Sequence, residues 1–139
     1  MVTDVKKMWE DYHAAWLSYD VERIATFFTD DCVYEDVAMG VVNRGKQELK
    51  AFVTCTFAAF PDIKFEDKSF FSSGDCIAIE WVMTGTQTGD LPGIPATNKS
   101  FSVRGASVTE LRAGKISRNS DYWNLVSFLQ QIGLLPMAP

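Results

Sequence analysis

The feature that most constrains this chain is a change of hydrophobic period at Pro61. Before it, apolar residues recur at the three- and four-residue spacing of helices. After it, the spacing shortens to the two-residue alternation of strands and holds as far as Trp123. Upstream, residues 3 to 18 read as an amphipathic helix with Val5, Met8, Trp9, Tyr12 and Trp16 on one stripe and Thr3 as its cap. A second short helix is expected after Asp20, carrying Ile24, Phe27 and Phe28 and ending near Thr29-Asp30-Asp31. Cys32 to Val37 reads as a short strand and Ala38 to Arg44 as a loop. Gly45 to Phe60 reads as a third helix, with Leu49, Phe52, Val53, Phe57 and Phe60 on its buried side and Pro61 ending it. Downstream, Ile63 to Ser72, Cys76 to Thr88, Ser100 to Leu111 and Lys115 to Trp123 are β-like runs. They are separated by Ser73-Gly74-Asp75, a Pro/Gly-rich loop and Arg112-Ala113-Gly114. Asn124 to Ile132 can form a closing helix before Gly133, and Pro136 to Pro139 is a tail.

Helices first and hairpin-linked strands afterwards predict an α+β fold, with helices packed on one face of an antiparallel sheet. At 139 residues, with no repeat or low-complexity linker, the chain is expected to be a single domain spanning residues 1 to 139, so any chemistry must sit within its one core. Apolar residues make up 47% and aromatics 13%, enough to line a cavity as well as fill a core.

Several function classes are disfavoured by what the chain lacks. The net charge of −5, without a Lys/Arg cluster, argues against a nucleic-acid partner. Asp4, Lys6, Lys7, Glu10 and Asp11 break up the first 20 residues, so neither a signal peptide nor a membrane span is expected, and a cytoplasmic location is. Cys32, Cys55 and Cys76 are widely spaced and read as free thiols. One histidine cannot supply a two- or three-imidazole metal site, and no G-x-G-x-x-G, Walker A or G-x-S-x-G pattern is present. No metal and no cofactor are therefore expected.

The candidate chemistry centres on Asp121-Tyr122-Trp123-Asn124, where a carboxylate stands among aromatics and a carboxamide. Apolar surroundings disfavour the charged carboxylate and raise its pKa toward proton exchange near neutral pH. The competing reading makes Asp121 a carboxylate at the N-terminus of the last helix, where the dipole lowers its pKa. Alternation puts Tyr34 and Asp36 on one face of the early strand, Asn119, Asp121 and Trp123 on one face of the last, and Trp81 with Met83 on one face of the strand from Cys76. If these faces converge under the first helix, they form an apolar chamber suited to a small molecule. His13, at the edge of the first helical stripe, can reach the chamber mouth as a hydrogen-bond donor or proton carrier, or rest against a nearby carbonyl. Asp36 can instead receive backbone N–H groups in the loop that follows it. Tyr34 can equally be a core phenol, and Arg104, in a strand among apolar residues, needs an anion, either a substrate oxygen or Asp36 or Glu80.

Laid out this way, the chain resembles the SnoaL-like polyketide cyclases of the nuclear transport factor 2-like superfamily. The resemblance runs from about Met8 to Pro136. It is carried by Phe28-Thr29-Asp30-Asp31-Cys32-Val33-Tyr34-Glu35-Asp36, Arg44-Gly45, Phe60-Pro61-Asp62, Thr84-Gly85-Thr86-Gln87-Thr88-Gly89, Val103-Arg104-Gly105, Asp121-Tyr122-Trp123-Asn124 and Gly133-Leu134-Leu135-Pro136. It implies a cone-shaped α+β barrel with a deep pocket, commonly assembled as a homodimer. It also implies cofactor-free intramolecular aldol closure of a polyketide ester, with Asp121 as acid/base and Tyr34, His13 or Asn119 donating to developing oxyanions.

Ketosteroid isomerases resemble the chain around Val33 to Asp36, which would make Asp36 a base. Their tyrosine oxyanion donor falls at His13, however, and their protonated aspartate near Ala106. Limonene epoxide hydrolases resemble it through Tyr34, Asp36 and Asp121, but Trp81 and Met83 stand where they carry Arg and a second Asp. Ala96-Thr97-Asn98 departs from the Pro-Thr-Gly common in the cyclase-like loop. The expected function is thus a cyclase or isomerase acting on a small, mainly apolar carbonyl compound. The alternative is a module of the same fold that binds a ligand or partner without catalysis.

Overall fold

The structure, a computed structural model, describes residues 4–137. Helix α1 spans Val5–Leu17 and buries Met8, Trp9, Tyr12, Ala15 and Trp16, the expected stripe. Asp4 caps it by accepting from the Lys7 N–H at 3.0 Å, while Thr3, the expected cap, lies outside the described residues. Helix α2, Val21–Ala25, is shorter than its apolar spacing suggests. Phe28 leaves the helix because it opens strand β1 (Phe28–Asp36), where it pairs with Ile116 and is fully buried. Ladder pairing and core burial outweigh the local helical preference.

After a turn comes strand β2 (Val41–Arg44), in a stretch whose sequence reads as loop. Helix α3 runs Gly45–Ala59, and its N-terminal Gly45 has φ +79°, a conformation open to glycine. Strands β3 (Lys64–Ser73), β4 (Cys76–Thr86), β5 (Ser100–Arg112) and β6 (Lys115–Trp123) follow, and α4 (Leu125–Gln131) closes the fold.

The strands form one curved six-stranded sheet in the order β2-β1-β6-β5-β4-β3. It is antiparallel except where β1 runs parallel to β6. That parallel pair brings the two carboxylate-bearing strands side by side, with Asp36 opposite Asp121 and Tyr34 opposite Asn119. The helices pack on one face of the sheet, α3 against β1 and β2, α1 against β3 and α4 against β5.

Register shifts occur in three ladders, β1·β6, β3·β4 and β5·β6, and bulges in β6 and β3 bear on which side chains turn inward. In β6 the register slips between Ile116 and Arg118, so Ser117 is the extra residue. Ile116 and Asn119, three apart, therefore both end buried. In β3 the slip falls at Lys68, which leaves Phe65 and Asp67 beside Met83 and Trp81 on the inner face and still returns Phe70 beside Ile79. Among the described residues no helix is long and apolar enough to cross a membrane.

Candidate active site

Between the helices and the inner face of the sheet lies a chamber of about 380 Å³, within the range of small-molecule sites. Its walls are mostly apolar: Phe52 from α3, Phe60 and Ile63 from the turn after α3, Met83 and Trp81 from β4, and Leu91 and Pro92 from the loop after β4. Polar groups are few and come chiefly from the parallel pair: Tyr34, Asp36 and Asp121, with Asn43 from β2. A narrower cleft of about 40 Å³ adjoins it. Trp16, Tyr34, Phe65, Trp81 and Asp121 line both spaces, so Asp121 stands on the wall between them.

Three side chains donate to the Asp121 carboxylate. The Tyr34 hydroxyl donates to Oδ2, while Ser107 Oγ and Asn119 Nδ2 donate to Oδ1 at 2.6 and 2.8 Å. Each donor is held in turn: Ser107 Oγ accepts from Trp81 Nε1 at 2.9 Å, and Asn119 Oδ1 accepts from Thr109 Oγ1 at 2.7 Å. The carboxylate is thereby fixed in one orientation. Burial raises the Asp121 pKa above its ordinary 3.8, opposed by the bonds from Ser107, Tyr34 and Asn119 and supported by the charge of Asp36. Asn124, whose Oδ1 accepts from the Ser127 N–H at 2.9 Å, caps α4. Asp121 lies inside β6, three residues ahead of that cap, so the helix-end reading of this residue does not hold.

Asp36 is 7% exposed, and its Oδ1 accepts from the Met39 N–H at 3.0 Å and from Trp123 Nε1 at 2.9 Å. It is thus both a chamber-wall group and a carboxylate held by the loop that follows it. Burial raises its pKa, against the bonds from Met39 and Trp123. The Tyr34 hydroxyl is likewise pushed well up by burial and by the facing Asp121 charge, and so stays a proton donor.

Trp81, Met83 and Trp123 line the chamber as expected. Three other expectations are corrected. Arg104 is exposed on the outer face of β5, because its inner neighbours Val103 and Gly105 take the chamber side; it reaches neither space and makes no ion pair with Asp36 or Glu80. Glu80 accepts instead from Ser69 Oγ. Asn119, 2% exposed, lines the narrow cleft rather than the chamber and donates from its amide to Asp121, so it holds that carboxylate rather than facing the chamber. His13 lines the narrow cleft rather than the chamber mouth, and its Nδ1 lies 3.0 Å from Asp67 Oδ2 rather than resting on a carbonyl alone.

Asp67 and Ser107 belong to the site although nothing in their sequence surroundings marks them. Asp67 sits in the charged run Glu66-Asp67-Lys68, which reads as solvated surface, and turns inward by alternation with Phe65, ahead of the bulge at Lys68 that returns Phe70 to the same face. Alternation from Phe65 was the one signal that could have found it. The loop after β4 is tied down by Gln87, fully buried, whose Nε2 donates to the Ile94 and Pro95 carbonyls and whose Oε1 accepts from Thr97. That anchorage holds Leu91 and Pro92 in the chamber wall.

A family model described as SnoaL-like polyketide cyclase matches residues 6–132, nearly the whole chain. The chain belongs to the SnoaL-like polyketide cyclase family. Cyclase aurE of Calcarisporium arbuscula is 30% identical to it over 104 residues, covering 74% of each protein. Among solved structures, a protein with a ketosteroid isomerase-like fold from Catenulispora acidiphila, determined in complex with trimethylamine, is 25% identical with a TM-score of 0.80 and covers 100% of both chains. TsrD from Streptomyces laurentii is 21% identical with a TM-score of 0.83 over 94% of this chain and 96% of its own, a likeness of fold alone. The fold of this SnoaL-like chain is therefore of the nuclear transport factor 2 and ketosteroid isomerase type. Its family and its Calcarisporium relative support a cyclase role.

Proposed function

We propose that this SnoaL-like protein closes a ring in a small, mainly apolar carbonyl compound of the polyketide ester type, with Asp121 as acid and base and no cofactor. The single observation that carries the reading is the placement of the Asp121 carboxylate, clamped by three donors, on the wall of an apolar chamber that retains room for a small molecule. Ionised Asp121 takes a proton from the carbon between two carbonyl groups, and the enolate carbon attacks the internal carbonyl. A carbon–carbon bond forms, that carbonyl becomes an alkoxide, and Asp121 returns the proton to it. Burial raises the basicity of the carboxylate, and its three donors oppose that rise.

Tyr34 acts through the same oxygen. Once Oδ2 carries a proton it no longer holds the Tyr34 hydroxyl as an acceptor, and that hydroxyl turns its hydrogen to the developing oxyanion. Ser107 and Asn119 position the carboxylate. Asp36 tunes it: its charge raises the Asp121 pKa, while its own bonds to Met39 and Trp123 hold it back from the substrate. Trp81 and Met83 form apolar wall where a water-activating Arg and Asp would be required, which argues against epoxide opening.

The open volume speaks against a chamber filled by its own aromatic side chains, while a non-catalytic module that binds a small molecule would keep the same space and is separated from an enzyme by turnover. Asp121→Asn, which keeps shape and removes the titratable group, is expected to abolish ring closure while leaving the fold intact; unchanged turnover would remove Asp121 from the acid/base role. A homodimer is proposed as well. Phe71, Val108 and Tyr122 are exposed on the outer face of the sheet, apolar surface that a second copy would cover, and sedimentation at micromolar protein distinguishes a dimer from a monomer.

A further inference from the structure

The narrow cleft behind Asp121 holds a second acid–base group that the ring-closing reading does not use. Trp9 and His13, one helical turn apart on α1, both converge on Asp67 Oδ2: Trp9 Nε1 donates at 3.0 Å and His13 Nδ1 lies at 3.0 Å. A carboxylate accepting from an imidazole fixes the ring orientation and favours one tautomer, with the proton on Nδ1. The second hydrogen bond, from the Trp9 indole, keeps that carboxylate in place. His13 and Asp67 are only partly exposed, with side-chain exposures of 20% and 31%. They therefore stand where the cleft meets solvent, while Asp121 stands on the wall it shares with the chamber.

The groups that titrate around His13 are few. Asp67 faces it from β3, Tyr34 and Asp121 line the same cleft from β1 and β6, and Tyr12 lies beside it on α1. Both phenols are held protonated by burial: Tyr34 is raised well above its ordinary value and Tyr12 is raised too, so neither takes part in proton exchange between His13 and Asp121. The cleft's 40 Å³ is room for at least one water, which requires roughly 10–15 Å³ and two or more polar partners. His13, Asp67, Ser107, Asn119 and Asp121 supply those partners.

We propose that His13, oriented by Asp67, is the proton-exchange partner of Asp121 through water in this cleft, keeping Asp121 in contact with solvent protons when a substrate fills the larger chamber. The inference rests on the acid/base reading of Asp121. An apolar substrate in the chamber shuts the wide route to solvent, so an Asp121 carrying a proton at that moment is stranded in its unreactive form. Through the cleft it releases the proton to water, that water passes one to the neutral imidazole, and the imidazolium releases it to bulk. One proton moves, no other bond changes, and ionised Asp121 with neutral His13 is restored. The geometry makes His13 a positioning and exchange residue rather than one that touches substrate.

His13 is the only histidine in the chain, so its ring signals in a proton–nitrogen NMR titration stand alone. In the wild-type protein the imidazole is expected to titrate with two inflections, its own and a second that follows Asp121, because two ionising groups lining one narrow, partly desolvated space sense each other. Asp121→Asn is expected to remove the second inflection and Asp36→Asn to retain it. Asp67→Asn is expected to lower the main midpoint and to loosen the ring's tautomer preference. A single inflection that is the same in wild type and Asp121→Asn overturns the inference, and so does a midpoint unmoved by Asp67→Asn. Failure here is separable from failure of the acid/base reading, because the titration needs no substrate. Lost coupling with ring closure still dependent on Asp121 sinks only the exchange route; intact coupling with undiminished turnover in Asp121→Asn sinks the role of Asp121.

Discussion

The Tyr34 hydroxyl donates to Asp121 Oδ2, although in the parallel β1·β6 ladder Tyr34 stands opposite Asn119 and Asp121 stands opposite Asp36. The contact is therefore diagonal. It leaves the directly opposed pair, Asp36 and Asp121, as two carboxylates on one face, the charge of Asp36 raising the cost of ionising Asp121 and the phenol, Ser107 and Asn119 relieving it.

Removing the phenol and removing the second carboxylate consequently push Asp121 in opposite directions. Tyr34→Phe deletes a donor that favours ionised Asp121, so the Asp121 pKa rises and the acid limb of the pH–rate profile moves to higher pH. The loss of a donor to the developing oxyanion lowers kcat by about tenfold to a thousandfold. A pH–rate profile of the variant checks both effects.

Asp36→Asn keeps its Oδ1 acceptor for the Met39 N–H and the Trp123 indole and removes only a buried charge. A carboxyl whose folded pKa is raised stabilises the fold fully only below its unfolded value, near 3.8, and that contribution is lost as pH rises through the raised folded value. Ionised Asp36 thus weighs against the fold at neutral pH. The variant is expected to be as stable as wild type or more so at pH 7, within about 1 kcal/mol, with a flatter dependence of stability on acid pH. Its acid limb is expected to move to lower pH, because the charge that raises the Asp121 pKa is gone. Urea melts across pH and a rate profile read these outcomes together.

Gly105 occupies an inward position on β5 directly beneath Trp81. A Cβ there would lie 2.3 Å from Trp81 Cη2 and 2.5 Å from Cζ3, so Gly105→Ala forces the indole off the strand. The displaced ring gives up its bond to Ser107, which in turn holds Asp121. The expected cost is about 1–3 kcal/mol of stability, read by thermal melting, together with a changed tryptophan fluorescence spectrum and weaker substrate binding.

The strands of this fold were legible because alternation survives in the residues themselves. Lys115 to Trp123 is β6 to the residue, and Tyr34, Asp36, Trp81, Met83, Asn119, Asp121 and Trp123 all turn inward as their spacing requires. Features set by pairing were not legible. Phe28 continues the helical spacing of Ile24 yet is claimed by Ile116 across the sheet. Val41 to Arg44 becomes a strand only because β1 lies alongside it. Arg104 was misread because its apolar neighbours in sequence lie on the opposite face, and Asp67 was missed because its charged neighbours Glu66 and Lys68 hide its alternation with Phe65. Which space a polar group faces is a tertiary property of the same kind: Asn119 shares a strand face with Asp121 in sequence, yet it lines the narrow cleft and donates to that carboxylate.

The central claim is that Asp121 takes a proton from carbon. The most direct test is exchange of the acidic C–H of a 1,3-dicarbonyl substrate analogue that cannot cyclise, followed in deuterated water by NMR with wild-type protein and with Asp121→Asn. The account predicts protein-catalysed deuterium uptake at the carbon between the carbonyls in wild type, reduced by about a hundredfold or more in Asp121→Asn while far-ultraviolet circular dichroism is unchanged. Equal exchange rates in the two proteins would contradict it.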